Sequence, residues 1–379
     1  MRIAVPKETE LFECRVSATP ETVKKLIGMG CQVVIEKGAG EASSITDGAF
    51  QEAGASIISN VQELYKNADV VLKVQKPIRP PKVSHDEIGL LPPGCVLIGL
   101  FYAKSDPEFV EKLRAKNITA FSLDAIPRIA RAQRMDALSS QSNIAGYKSV
   151  IMGAERLKKM MPLMMTAAGT MTPARVLVLG AGVAGLQAIA TAKRLGAVVE
   201  AFDTRPAVKE QVESLGGKFL QIDLGDEQTE DAGGYAKELS EETHRKEMEL
   251  VTKHAKEADI IITTALIPGK PAPLLISEGA VKAMKEGSVI IDLAAEAGGN
   301  CAVTEKGKEI VKHGVTVVGY LNIPSRVPFH ASQMYARNIL NFFLEICPKG
   351  KLEIRFENEV VKGALITEAK KVAQEKGVS

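Results

Sequence analysis

No sign of charge predominates in this chain of 379 residues. Its 48 Lys+Arg stand against 46 Asp+Glu, a net +2, so no electrostatic excess points to nucleic acid or to an anionic membrane. Cysteine is sparse: Cys14, Cys31, Cys95, Cys301 and Cys347 are odd in number, scattered, and without a CxxC pair. That signals neither a disulfide frame nor a zinc site and leaves small buried apolar residues as their ordinary reading. The five histidines (His85, His244, His254, His313, His330) are as dispersed, and none falls in a Ser/His/Asp or metal constellation. Long apolar runs are missing too. Cys95–Ala103 and Ile260–Ile267 are far short of the roughly 18 residues that span a bilayer, and Met1–Val5 reads as a strand rather than a signal peptide. The expectation is a cytoplasmic protein, without direct membrane insertion, held at a membrane only through something else.

What the chain has is the composition of folded domains: 45% hydrophobic and 25% charged residues with 4% aromatics. At about 100–200 residues per domain this predicts two globular units, each able to bury its own core. β-branched runs alternate with helical stretches: Ile3–Val5, Thr22–Gly28 after Thr19-Pro20, Val33–Ile35, Asp47–Gly54, Asp69–Val74, Cys95–Leu100, Pro107–Lys116 and Ile118–Ser122. Such alternation predicts an α/β fold, a parallel sheet wrapped by helices. A long helix is expected from about Gln133 to Met161, because Ile144, Tyr147, Ile151, Ala154 and Leu157 recur at three and four residues. A second series follows: strand Arg175–Leu179, helix Leu186–Leu195, strand Val198–Phe202, helix Val208–Ser214, a strand near Phe219–Ile222, then Asp259–Thr264, Ser288–Leu293 and Thr316–Tyr320.

Within it, residues 224–250 are long for a loop. From Asp226 to Glu249 there are nine acidic residues against three Lys/Arg, with the pair Gly233-Gly234, which predicts a mobile surface segment running into a helix over Glu242–Ala258. After Pro324 and Pro328, a helix Met334–Glu345 and two short strands, Leu352–Phe356 and Val360–Ile366, are expected to return to the first domain. The domains are thus 1–138 with 328–379, and 139–327.

Gly180-Ala-Gly-Val-Ala-Gly185 follows a strand and opens a helix, the context in which GxGxxG binds a dinucleotide. Gly180 permits the tight turn, Gly182 the approach of a pyrophosphate, and Gly185 the close packing of helix on strand, while the helix N-terminus supplies amide donors. The acidic residue expected about 20 positions on is Asp203. A carboxylate there accepts hydrogen bonds from both ribose hydroxyls and repels a 2′-phosphate, favouring NAD(H); Arg205, two residues later, keeps NADP(H) open. A second cluster spans Pro127–Ser140, where Arg128, Gln133, Asp136 and Ser139 form a set able to grip a carboxamide. Taken alone it also reads as an ordinary helix N-terminus with ion pairs.

The strings Arg15–Pro20, Pro127–Ser140, Asn143–Tyr147, Gly180–Ala188, Gly233–Lys237, Thr263–Pro273 and Ile291–Asn300 closely resemble the NAD(H)-binding component of proton-translocating nicotinamide nucleotide transhydrogenase, over essentially the whole chain. The resemblance implies two Rossmann-like domains with parallel sheets flanked by helices and NAD(H) in the interdomain cleft. It implies that Arg128, Gln133, Asp136 and Ser139 surround the nicotinamide, and that Gly234 and Tyr235 ride a mobile loop closing over the nucleotide. Val183, Asp203, Thr204, Arg205, Ala265 and Leu266 match nucleotide-contacting positions. It further implies hydride transfer to NADP⁺ on an NADP(H)-binding partner component, coupling through a membrane proton-channel component, a homodimer, and a peripheral place on the cytoplasmic face of the inner membrane. Such chemistry releases no substrate proton at the site and so needs no general acid or base, in keeping with the dispersed histidines.

Alanine dehydrogenase is the alternative. Arg15 and Lys73 stand where that family binds its substrate's carboxylate and carbonyl. However, Leu97–Ala103 lacks the family's histidine and Glu296 replaces its aspartate, so both acid/base positions depart. The C-terminal strand pair offers an edge through which two copies could exchange strands.

Overall fold

The computed structural model describes residues 1–78, 86–222, 240–267 and 270–369. The chain divides into two compact units, Met1–Gln141 with Ser325–Ser379, and Ser142–Pro324.

The first unit is built on β1 (Arg2–Val5), β2 (Gln32–Glu36), β3 (Ser56–Ile58), β4 (Val70–Leu72), β5 (Val96–Gly99) and β6 (Thr119–Ser122). They lie in the order β3-β2-β1-β4-β5-β6, all parallel, with the strand Leu365–Thr367 antiparallel beyond β6. Runs such as Val70-Val71-Leu72 and Val96-Leu97-Ile98 are apolar at consecutive positions because the sheet is covered on both faces. The helix Pro328–Ile346, started by a proline at its first position, lays Tyr335, Ile339, Phe342, Phe343 and Ile346 into the same core as Ile3, Val33 and Ile98.

The second unit has a hairpin, β7 (Met164–Thr166) and β8 (Gly169–Met171), and a seven-stranded sheet. The sheet comprises β9 (Arg175–Leu179), β10 (Val198–Phe202), β11 (Lys218–Leu220), β12 (Ile260–Thr263), β13 (Val289–Asp292), β14 (Glu309–Lys312) and β15 (Val315–Val318). Its order is β11-β10-β9-β12-β13-β15-β14, parallel except for β14. From β9 the chain winds outward first through β10 and β11, then to the other side through β12. The direction therefore reverses between β9 and β12, and the loops after these strands part at the C-terminal edge, where doubly wound sheets place their ligands.

Two expectations fail. No strand forms over 352–356, and 360–364 belongs to a helix, Glu359–Ala364. The Asn358 side chain accepts the Val360 N–H at 3.0 Å and starts that helix, which turns Val360, Val361 and Ala364 onto one buried face. The expected edge for strand exchange is therefore absent, and Leu365–Thr367 is instead the outermost strand of the first sheet, paired to β6. The antiparallel β14 lies outside the expected strands. Its hairpin turns through His313 and Gly314, both with positive φ, the geometry of a two-residue turn that follows the strand twist.

Among the described residues no helix is long and apolar enough to cross a membrane. Gly234, Tyr235 and the segment 224–239 lie outside the described residues. From Glu241 to Ala255 the chain is a helix, capped by Ser240, with Thr243, Glu247, Val251 and Ala255 buried.

Candidate functional site

The glycine turn leaves β9 at the sheet's C-terminal edge. Gly180 has φ +94° and donates its N–H to Phe202 O at 2.8 Å, tying the turn to β10. A Cβ on Gly185 would stand 1.8 Å from Gly180 O, which no side chain tolerates. Gly182 differs. It is the N-cap of helix Val183–Arg194, its backbone is extended, and nothing lies closer than 3.9 Å to where its Cβ would be, the nearest atom being Arg205 Nη2. The fold itself does not require glycine there. The helix N-terminus receives no side-chain cap, so its first amides and the positive end of its dipole are presented to whatever approaches Gly182.

Asp203 directly follows β10 and is buried, accepting the Ala181 N–H at 2.7 Å. Arg205 grips the same carboxylate with Nε at 2.9 Å and Nη2 at 2.7 Å. On the other side of the turn, Thr264 donates its hydroxyl to Gly180 O at 3.0 Å, and half-exposed Leu266 follows Ala265. One end of the second sheet thus gathers Gly180, Gly182, Val183, Gly185, Asp203, Thr204, Arg205, Ala265 and Leu266.

Behind this loop sits a residue that motif reading passes over. Asn300, fully buried, accepts the Ala265 N–H at 3.1 Å and donates to Ala265 O at 2.9 Å and Pro273 O at 2.8 Å. Its own N–H is held at 2.9 Å by Asp292, which also takes Thr263 Oγ1, Ala294 N, Cys301 N and Thr304 Oγ1. The sequence signal for it is an Asp at a strand end with Gly298-Gly299-Asn300 closing eight residues on.

In the first unit, Asp136 precedes helix Ala137–Arg156 and accepts the Ser139 N–H at 2.8 Å and its hydroxyl at 2.5 Å. It is an N-cap as well as a candidate site residue. Arg128 and Gln133 are exposed on the preceding segment. Ala132 and Met135 pin that segment into the core, while Asn338 and Asn341 donate to Arg134 O at 2.9 and 3.2 Å.

Arg15 and Lys73 are both buried and satisfied from within the first unit. Arg15 holds Glu13 through Nε and Nη2 at 2.8 and 2.6 Å and Gln141 through Nη1 at 2.8 Å, and Lys73 lies 3.0 Å from Glu87 and 3.4 Å from Glu8. Burial pushes the Glu8 carboxyl up to about 7 against the pull of Lys73. For Glu13, burial alone would raise the value, but the Arg15 charge and hydrogen bonds from Arg15, Ser325 and Gln75 outweigh it and hold it at about 2. Glu296 is exposed and caps the Asn322 N–H at 2.6 Å.

Family models for the alanine dehydrogenase/PNT N-terminal and C-terminal domains match residues 4–145 and 149–375. The chain is 54% identical to an NAD(P) transhydrogenase subunit alpha protein of Rhodospirillum rubrum, over 97% of this chain and 96% of that protein. It is similar to a crystal structure of transhydrogenase from Sinorhizobium meliloti with a TM-score of 0.83 and 41% identity, covering 97% of this chain and 98% of that one. To the alanine dehydrogenase of Methanococcus maripaludis the identity falls to 29%, over 99% of this chain and 95% of that enzyme. The chain therefore belongs to the alanine dehydrogenase/PNT family, and within it to the NAD(P) transhydrogenase alpha subunits.

Proposed function

We propose that this chain is the NAD(H)-binding component of a proton-translocating transhydrogenase, exchanging a hydride with NADP(H) held by a partner component. A separate membrane component would couple that exchange to proton passage. The observation that carries the nucleotide site is Gly182, a glycine that packing leaves unexplained, set before an uncapped helix N-terminus and beside a strand-end carboxylate. That donor set suits a dinucleotide: backbone amides for the pyrophosphate, Asp203 for the ribose, Ala265 and Leu266 as a wall. Arg128, Gln133, Asp136 and Ser139 are assigned to orienting the nicotinamide.

When bound, the dinucleotide supplies the hydride, and no proton is gained or lost at the reacting carbons. The protein's task is then orientation and distance rather than acid/base work. The histidines fit this division: His244, His254 and His313 are each paired with a glutamate, Glu247, Glu200 and Glu278, at 3.0, 2.8 and 2.8 Å. Homodimerisation and attachment to the cytoplasmic face of a membrane through the partner components belong to the same proposal.

The test is stopped-flow transfer between NADH on this chain and NADP⁺ on an NADP(H)-binding partner. Gln133→Asn should leave NADH affinity nearly intact and slow transfer by on the order of 100-fold, because only the reacting geometry is disturbed. Full transfer by this variant would remove Gln133 from its role. Robust alanine-dependent NAD⁺ reduction by the chain alone would overturn the reading.

A further inference from the structure

Asp203 meets the nucleotide site with its hydrogen-bonding capacity already used. An ionised carboxylate has about four acceptor positions, and four donors fill them. Ala181 N–H and Arg205 Nη2 lie at 2.7 Å from Oδ2, and the Arg205 N–H and Nε at 2.9 Å from Oδ1. The same guanidinium is the nearest group to the space above Gly182. One side chain therefore lies across the ribose acceptor and beside the approach to the glycine turn. Two of the four donors are backbone amides fixed by the turn and the strand end. The other two sit on a side chain with several rotatable bonds, and a ribose diol also offers two donors.

We propose that Arg205 is the resident ligand of Asp203, exchanged for the ribose diol when NAD(H) binds, and so an internal competitor that weakens nucleotide binding. This rests on the reading of the glycine turn as the NAD(H) site. The exchange is balanced, since Asp203 keeps four bonds before and after, with the two backbone amides retained throughout. It also gives Asp203 a second part in cofactor choice. While its charge holds the guanidinium, the fork that would suit a 2′-phosphate is not offered to one.

The test uses the full chain and NADH fluorescence titration beside thermal melting. Arg205→Gln should tighten NADH binding by about two- to fivefold, the scale of a modest ion pair, while the nucleotide-free protein melts slightly lower. A merely structural arginine would lower the melting temperature without tightening NADH. Weaker binding, as expected of an arginine that contacts the nucleotide directly, or an unchanged dissociation constant would overturn the proposal. Should Arg205→Gln fail to fold, Arg205→Lys keeps the charge without the fork and should tighten binding to a smaller degree; weakening there has the same force. In the second arm, Asp203→Asn should invert the preference between AMP and 2′-AMP, and Arg205→Gln added to it should abolish the gain. An Asp203→Asn protein that still disfavours 2′-AMP counts against the exchange. Absence of any NADH binding by the unsubstituted chain at millimolar nucleotide would instead sink the underlying site, and with it the proposal.

Discussion

Gly182 and Gly185 are three residues apart in one motif, yet the structure asks for them on different grounds. An alanine at 185 must push its Cβ into Gly180 O, a backbone atom that cannot step aside, and should cost about 2–4 kcal/mol of stability. At position 182 the backbone is one alanine also adopts and the space is open, so Gly182→Ala should melt within a degree or two of the parent while losing at least about tenfold in NADH affinity. Melting and NADH titration of both variants check the contrast; a Gly182→Ala protein that binds NADH normally would leave the turn purely structural. Glu8 and Glu13, buried in one cluster, are driven in opposite directions. Glu8, raised from 4.5 to about 7, holds its proton longer in the folded state, so its stability contribution is complete below 4.5 and is lost as pH rises toward and through 7. Glu13, lowered to about 2, stabilises fully above 4.5, and its contribution is lost as pH falls from there through 2. Between pH 5 and 8 Glu8 therefore gives a falling slope, in the same direction as Glu36 and Glu247, whose carboxyls burial also pushes up. Urea midpoints should fall across that window, and Glu8→Gln should flatten the fall. At this scale the sequence made Asp203 legible, because its distance from the glycine turn follows from one strand–helix–strand repeat. The Arg205 grip and the Asn300 support were not, since both depend on which polar atoms the folded loops bring within 3 Å.

Strands announced themselves where sheets are buried on both faces: β9, β12 and β13 are near-continuous Val, Ile and Leu. Elements failed where the same residue types serve another period. Val360-Val361 reads as strand by propensity, but the Asn358 cap and the spacing to Ala364 make a helix, and tertiary packing overrides β-branched preference. That correction changes what the tail does. Val360, Val361 and Ala364 are fully buried in the first unit's core, and Leu365–Thr367 completes its sheet beside β6. Truncation after Pro348 should accordingly remove about 5 kcal/mol of apolar burial, a large share of a domain's net stability. Loss of cooperative unfolding in the first unit is the expected outcome, followed by amide exchange at β5 and β6. Retained protection in those strands would show that the tail is dispensable to the fold.

Each unit carries its own buried core and its own doubly wound sheet, and the assigned nucleotide contacts on the glycine turn, Asp203 and Leu266 all lie in the second. Ligand linkage turns this into a measurable asymmetry. At 100 times its dissociation constant, NADH stabilises whatever it binds by about 2.7 kcal/mol. For a unit of roughly 180 residues, at 2–4 °C per kcal/mol, that is a rise of about 5–10 °C in melting temperature. If nucleotide is held by the second unit alone, calorimetry should show the transition carrying β9, β10 and β12 moving by this amount, with amide exchange in those strands slowed in step, while β1, β4 and β5 keep their nucleotide-free behaviour. If the Arg128–Ser139 segment also grips the bound nucleotide, the first unit must share the stabilisation, and Gln133→Asn should leave most of it in place because its effect is on ring orientation. Protection by NADH confined to the first unit is incompatible with the glycine turn as the binding site, and would move the search to the buried Arg15 and Lys73 cluster.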